Sequence, residues 1–125
     1  MSSWRDELSK IRDVVELALR DAVRDLEELK HTVIEQLAPR GVRGLLKELE
    51  HIARDFEDTL LETRRRLREL RREAVRTGDS DMLSAVKELE GYIYSRAREF
   101  NEKYREVVKY IEEKHPEVVK WGKSR

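Results

Sequence analysis

Apolar side chains recur in steps of three and four residues along three long stretches of the chain, as in helices that bury one face. The most regular stretch runs from Val42 to Arg76. Its apolar stripe comprises Val42, Leu45, Leu49, Ile52, Phe56, Leu60, Thr63, Leu67, Leu70 and Ala74. Nearly every other position there is Glu, Asp, Arg or Lys. Because a lone helix cannot bury such a stripe, we expect it to be the middle member of a bundle.

The flanking segments repeat the pattern at similar length. The first stripe comprises Trp4, Leu8, Ile11, Val15, Ala18, Ala22, Leu26, Leu29 and Val33. The third comprises Leu83, Val86, Leu89, Ile93, Ala97, Phe100, Tyr104, Val107 and Ile111. With the breaks described next, these stripes predict helices at residues 3–38, 42–77, 80–114 and, much shorter, 116–121.

Capping and breaking residues set these bounds. Ser3, with Asp6 three residues later, is typical of a helix start, and Pro39 ends the first helix. Gly78 favours a left-handed cap at the end of the second helix, after which Asp79 or Ser80 caps the third. Pro116 ends or kinks the third helix, because proline has no N–H to donate.

Short connections make neighbouring helices antiparallel. We therefore predict an all-α fold, an antiparallel up-down-up bundle of three long helices plus a short C-terminal helix whose Trp121 covers one end. Residues 1–125 then form a single domain. The alternative is a compact globule of about five shorter helices. It would bury Val14, Leu17 and Leu61, which otherwise face away from their stripes and would mediate weak self-association.

Composition narrows the function. The 27 basic and 27 acidic residues give zero formal net charge, so no overall field attracts nucleic acid or an anionic membrane. Charged residues form 43% of the chain and aromatic residues only 6%, which favours amphipathic helices over an aromatic-lined pocket. There is no cysteine and no long apolar run. We expect a soluble chain without a signal peptide, and its localisation stays open.

Each histidine follows a glutamate by three residues, the spacing of di-iron carboxylate bundles. The pairs are Glu28 and His31, Glu48 and His51, and Glu112 and His115. At about 100° per residue, His31 and His51 point away from their apolar stripes, and only His115 lies near the core face, at a helix end. We therefore predict no metal site.

The second helix carries a run of arginines. They are Arg64, Arg65, Arg66, Arg68, Arg71, Arg72 and Arg76. Such a run suggests nucleic acid or heparin binding, but no aromatic residue interleaves with it in sequence. The bundle would bring acids of the other helices to the same height, namely Asp6, Glu7, Asp13, Glu16, Asp81, Glu88 and Glu90. We predict charge pairing between helices and no nucleic-acid partner.

No other motif carries chemistry. Ser84 and Ser95 have no inward histidine nearby in sequence, and the Gly41 to Gly44 segment lacks the strand and the Gly-Lys-Ser/Thr ending of a phosphate loop. At core spacing, aromatic residues such as Phe56, Phe100 and Tyr104 are packing residues. Gly91 lowers helix stability, which suggests either close contact with another helix or room for a Trp or Tyr side chain from elsewhere, and we favour the helix contact. We predict no catalytic residue and no cofactor, and hence that the chain is not an enzyme.

Three comparable helices, aliphatic stripes, capped breaks, balanced charge and no cysteine resemble a de novo designed helical bundle. Gly44, Gly91, Thr59 and Thr63 look native, as in a design built from native-like helical pieces. This resemblance implies a structural scaffold without biochemical activity.

The alternative is an interaction module that binds a partner helix or a lipid surface. The segment TRRRLRELRREA is similar to the arginine-rich helices of apolipoprotein-like bundles, and a spectrin-like bundle is the related choice. Resemblance to the apolipoproteins implies reversible opening onto lipid.

Overall fold

The computed structural model describes residues 3–35 and 41–114, with side chains at 3–31 and 44–114. This part of the chain forms three α-helices, α1 (Trp4–Glu35), α2 (Gly41–Thr77) and α3 (Ser80–Lys114). The predicted all-helical fold is confirmed. Within these residues each long helix is continuous, so the alternative of about five shorter helices is wrong. The predicted helix at 116–121 and the docking of Trp121 lie outside the described residues.

Contacts between the helices define their directions. The start of α1 meets the second half of α2 through Glu7 and Arg66, and α2 meets α3 through the stacked rings of Phe56 and Phe100. Both of these helix pairs are therefore antiparallel. In contrast, α1 and α3 run parallel, because their paired residues rise together, first Glu16 with Arg96 and then Glu27 with Lys103. The bundle is up-down-up, and each helix packs on both others.

The apolar stripes meet in one core. Its buried members are Leu8, Ile11, Val15, Leu19, Ala22, Leu26 and Leu29 of α1, Leu45, Leu49, Phe56, Leu60, Leu67, Leu70 and Ala74 of α2, and Met82, Val86, Leu89, Ile93, Phe100, Val107 and Ile111 of α3. Where side chains are described, the predicted stripe positions are buried or packed against this core, and Val14, Leu17 and Leu61 are exposed as expected. The side chains of Val33 and Val42 lie outside the described part. The buried polar side chain in this part is Thr63, whose hydroxyl donates to the Leu60 carbonyl at 2.9 Å.

The α2–α3 turn is specified by two residues, Gly78 and Asp79. Gly78 adopts φ 69°, the left-handed conformation that costs a residue with a Cβ free energy. Its N–H donates to the Val75 carbonyl, and the N–H of Asp79 donates to the Ala74 carbonyl, which together satisfy the end of α2. The Asp79 carboxylate then accepts the N–H of Met82 at 3.0 Å and caps α3. Both predicted caps at this boundary are confirmed.

Two residues of α3 differ from expectation. A Cβ built on Gly91 would meet nothing within 4 Å, and the position is exposed, so the predicted close helix contact is wrong. The helix therefore carries an interior glycine without a packing reason. Met82 is buried although it lies outside the predicted stripe, because the Asp79 cap sets the entry of α3 so that its first turn packs on the core.

Candidate functional site

The two Glu-x-x-His turns of α1 and α2 do not form a metal site among the described residues. His31 and His51 are exposed on α1 and α2, and His51 Nε2 lies 3.3 Å from Asp55 Oδ2 on its own helix. His115 lies outside the described residues, so its turn is not seen. Within the described part no three His, Asp or Glu side chains are placed to hold a metal ion. The prediction of no metal site remains a prediction, because the third pair is not described.

The arginine run divides into two kinds of residue. Arg66 joins Glu7 of α1 at 2.5 Å and Glu69 at 2.7 Å, and Arg71 lies 3.6 Å from Glu90 of α3. Hydrogen bonds to Glu69 and Glu7 raise the pKa of the Arg66 guanidinium above its usual value. Within the described part of the chain the other five make no ion pair, and they are Arg64, Arg65, Arg68, Arg72 and Arg76. The predicted pairing between helices therefore applies to two of the seven arginines.

Two of the unpaired arginines line a groove between α2 and α3, which we call the basic groove. Arg64 and Arg68 of α2 face Tyr94 of α3 across about 280 Å³ of open space. Its other lining residues are Leu67, Glu90 and Ile93. Tyr94 is 67% exposed, so most of its side chain is open to solvent at this groove. Sequence reasoning missed this aromatic residue, because it is distant in sequence from the arginines and only the antiparallel packing brings it to them.

A second groove, between α1 and α2, has the opposite charge, and we call it the acidic groove. It encloses about 260 Å³. Its rim carries Asp21, Asp25 and Asp55 against the single base Arg24, and its other lining residues are Ala18, Ala22, Ile52, Phe56 and Thr59. Arg24 lies 3.5 Å from Asp21 and 3.7 Å from Asp25, so it neutralises only part of the rim.

A third cavity lies between α1 and α3 at the end that holds Trp4. It encloses about 570 Å³, and its lining mixes Trp4, Arg5, Leu8, Ser9, Arg12, Asp81, Ser84, Ala85, Glu88 and Leu89. Arg5 lies over the Trp4 ring at 4.3 Å, so part of its cationic surface is already covered. Ser84 has no histidine near it in this lining, and Ser95 is exposed on α3. The lining of this cavity therefore contains no serine–histidine pair.

The line where α1 and α3 meet is closed by charged pairs. Glu27 binds Lys103, and this hydrogen bond is the main cause that lowers the pKa of Glu27 and raises the pKa of Lys103. Arg96 Nε lies 3.2 Å from Glu16, and the Arg12 guanidinium stacks on the Tyr92 ring at 4.5 Å. These charged and aromatic groups pair across the helix boundary, which indicates a structural role for them.

The aromatic residues of the core form a short stack. The ring centroids of Phe56 and Phe100 are 4.4 Å apart, and those of Phe100 and Tyr104 are 5.8 Å apart. Burial raises the pKa of Tyr104, and the carboxylates of Glu57 and Glu50 raise it further. Tyr104 therefore stays protonated at neutral pH, and the predicted packing role of this stack is confirmed for the described residues.

With this geometry established, comparison with protein-family models found no match, and comparison with curated proteins and with solved structures found no significant one. In the part of the chain that the structure describes, no helix is both long and apolar enough to cross a membrane.

Proposed function

We propose that this chain is a structural helical-bundle scaffold of designed origin, without catalytic activity. The observation that carries the proposal is the division between core and surface. The shared face of the three described helices is apolar, and its single buried polar side chain, Thr63, has its hydroxyl satisfied by the helix backbone. A binding or catalytic bundle instead places polar or metal-ligating side chains inside. Here the charged groups lie on outer faces and helix boundaries.

The proposal of a designed origin is based on the similar lengths of the three helices and on the capping residues of the α2–α3 turn. The helices contain 32, 37 and 35 residues, and the α2–α3 turn uses a left-handed glycine followed by an aspartate cap, as idealised designs do. Idealised bundles are commonly hyperstable, with thermal midpoints above about 90 °C. We expect such a midpoint by circular dichroism. A midpoint in the mesophilic range of about 45–65 °C would count against the designed origin.

The scaffold function is tested by removing every candidate metal ligand of the imidazole type. The variant His31→Gln/His51→Gln/His115→Gln should keep the helical content and unfolding midpoint of the parent chain. Calorimetric titration with Zn²⁺ or Co²⁺ should show no stoichiometric binding to the parent, because tight sites need ligands within about 2.0–2.2 Å of one ion. Stoichiometric binding that the triple variant loses would replace the scaffold proposal with a metal site.

The second candidate function is a helical interaction module, and the exposed apolar side chains favour it. Leu61, Val75 and Tyr94 are each more than half exposed. Leu61 and Val75 lie on α2 with the unpaired arginines, and Tyr94 lies on α3 at the basic groove. Opening onto lipid would require the core to exchange its helix contacts for acyl chains. We expect neutral and anionic liposomes to leave the thermal midpoint and elution volume unchanged. Cosedimentation with neutral vesicles would favour the lipid-binding function over the scaffold.

A further inference from the structure

The basic and acidic grooves are similar in size and opposite in charge, and they lie on different faces of one bundle. We propose that the basic groove of one copy docks onto the acidic groove of another, so that the chain self-associates head to tail. The inference does not depend on the scaffold function, because it concerns only the surfaces of the described helices.

Charge complementarity is the first argument. Arg64 and Arg68 have no ionic partner within the described residues, while Glu90 on the same rim is already near Arg71. Opposite them, three aspartates share the acidic rim with one arginine. Although the chain has zero net charge, its basic and acidic residues are concentrated in different segments. Residues 61–76 hold seven arginines against three glutamates, whereas α1 holds nine acids against six lysines and arginines.

Shape supplies the second argument. Tyr94 is the large exposed side chain of the basic groove, and the small side chains of Ala18 and Ala22 leave the acidic groove open. Gly91, one turn before Tyr94, leaves the backbone uncovered, since a Cβ there would meet open space. An interior glycine costs a helix about 1 kcal/mol relative to alanine. No contact with the described residues offsets that cost, but close approach by a second copy would use the exposed backbone.

Exposed aliphatic residues border both grooves. Leu61 lies one helical turn before Arg64, and it is 58% exposed. On the other face, Val14 and Leu17 precede Ala18 and Asp21 by one turn, and they are 49% and 55% exposed. A polyanion would use the arginines but would leave Leu61 without a partner. An acidic surface with its own apolar residues complements both features, and the chain itself carries one.

The two faces differ, so the contact is heterologous, and it gives an open series of copies unless the rotation between copies closes a ring. On α2 the centres of the grooves are about 11 residues apart, which corresponds to roughly 16 Å along the helix axis. Successive copies would therefore be displaced along the axis as well as rotated about it. Association should then give a concentration-dependent series of oligomers rather than one discrete dimer.

Sedimentation equilibrium tests the proposal directly. The average mass of the parent chain should rise above the monomer mass of 14.9 kDa with increasing concentration at about 0.02 M salt. At about 0.5 M salt the association should weaken several-fold, because exposed charges are screened. A chain that stays monomeric up to about 1 mM at low salt would overturn the proposal.

Neutral substitutions identify the faces. Arg64→Gln/Arg68→Gln/Tyr94→Ser disables the basic groove, and Asp21→Asn/Asp25→Asn/Asp55→Asn disables the acidic one. Each should lower the association constant at least tenfold. The matched controls are Arg72→Gln/Arg76→Gln and Glu102→Gln/Glu112→Gln/Glu113→Gln, which remove similar charge outside the grooves. Controls that weaken association as much as the groove variants would overturn the assignment to these faces.

Mixing the two disabled variants gives the sharpest result. Each retains one working face, so neither should oligomerise alone, but the mixture should form a capped dimer of one copy each. If each variant alone still forms symmetric dimers, the contact is isologous and the proposal fails. It also fails if the parent stays monomeric while binding a single-stranded oligonucleotide through Arg64 and Arg68, because the basic groove would then serve a polyanion.

Discussion

The helix α3 is held differently by its two neighbours. Against α2 it makes an aromatic core contact, Phe56 on Phe100, and an ion pair at the boundary, Arg71 with Glu90, whose length among the described residues is 3.6 Å. Against α1 the boundary carries a row of charged pairs, which comprises Glu16 with Arg96, Glu27 with Lys103, and Lys30 with Glu106. Aromatic rings add to this row, since Arg12 lies over Tyr92 and Lys30 over Tyr110.

The two boundaries of α3 differ because the chain connects α3 directly to α2 but not to α1. The antiparallel pair α2 and α3 is joined by a two-residue turn at Gly78 and Asp79, which fixes which residues face one another. The parallel pair α1 and α3 is separated in sequence by the whole of α2, so no local turn sets its register. Charged pairs spaced along the boundary set it instead, because a shift of one helical turn would separate all of them. Such exposed pairs contribute more to register than to stability.

The largest expected effect concerns the aromatic contact of α2 and α3. Phe56→Ala should lower the free energy of unfolding by about 3–5 kcal/mol, because it leaves a cavity beside Phe100 in the core. Chemical denaturation with urea measures the change. The control is Tyr94→Ala, an exposed aromatic on the same helix as Phe100, which should change it by at most about 0.5 kcal/mol. Equal losses in the two variants would contradict the core assignment.

The turn that joins α2 and α3 comes next in size. Gly78→Ala should lower the free energy of unfolding by about 1–2 kcal/mol, because a residue with a Cβ is strained at φ 69°. Thermal denaturation followed by circular dichroism measures the effect. Gly78→Asn should recover part of the loss, since asparagine tolerates the left-handed region better than alanine. A stable Gly78→Ala variant would show that the turn does not depend on the left-handed conformation.

Replacing Gly91, which lies within α3, should change the stability in the opposite direction to replacing Gly78. Gly91→Ala should raise the free energy of unfolding by about 1 kcal/mol, because alanine is the better helix former and its methyl group meets open space. The same denaturation series measures it. A destabilised variant would show a close contact at this position and would restore the expectation drawn from the sequence. If the head-to-tail contact exists, the same substitution should also weaken association.

The smallest effect concerns the α1–α3 boundary and depends on pH. The lowered pKa of Glu27 means that its contribution is present above the carboxyl titration range of the unfolded chain and is lost as pH falls through the folded pKa. The raised pKa of Lys103 means that its contribution is present below the usual lysine range and is lost as pH rises through the folded value. Between those limits the pair should contribute at most about 1 kcal/mol, since Glu27 is 38% exposed.

The measurement compares Glu27→Gln with the parent chain across pH. The stability difference should be largest near neutral pH and should shrink at both the acidic and the alkaline limit. Glu102→Gln is the control, because its partner Arg98 is on the same helix and both side chains are about 70% exposed. A pH-independent difference for Glu27→Gln would show that its effect is packing rather than charge.

The sequence by itself determined the helices, their apolar faces and the α2–α3 turn. These features follow from local rules, namely the 3.6-residue period of stripes such as Leu60 to Leu70, and the preference of Gly78 and Asp79 for cap positions. For the same reason the outward direction of Val14, Leu17 and Leu61 could be predicted. Each depends only on phase within one helix, which spacing along the chain already gives.

Tertiary structure alone decided which side chains on different helices meet. Tyr94 lines the same groove as Arg64 and Arg68, and Lys103 binds Glu27, only because the helices cross at a particular register and rotation. The sequence could not show which arginines form ion pairs with acids of the other helices. It placed seven arginines and seven acids at similar positions along the bundle, and the rotation of each helix about its axis decides which of them pair. The same angles separate the acidic groove from the basic one. A net charge of zero does not show this separation of charge. Net charge is a sum over the whole chain, whereas the two grooves lie on different faces of the bundle.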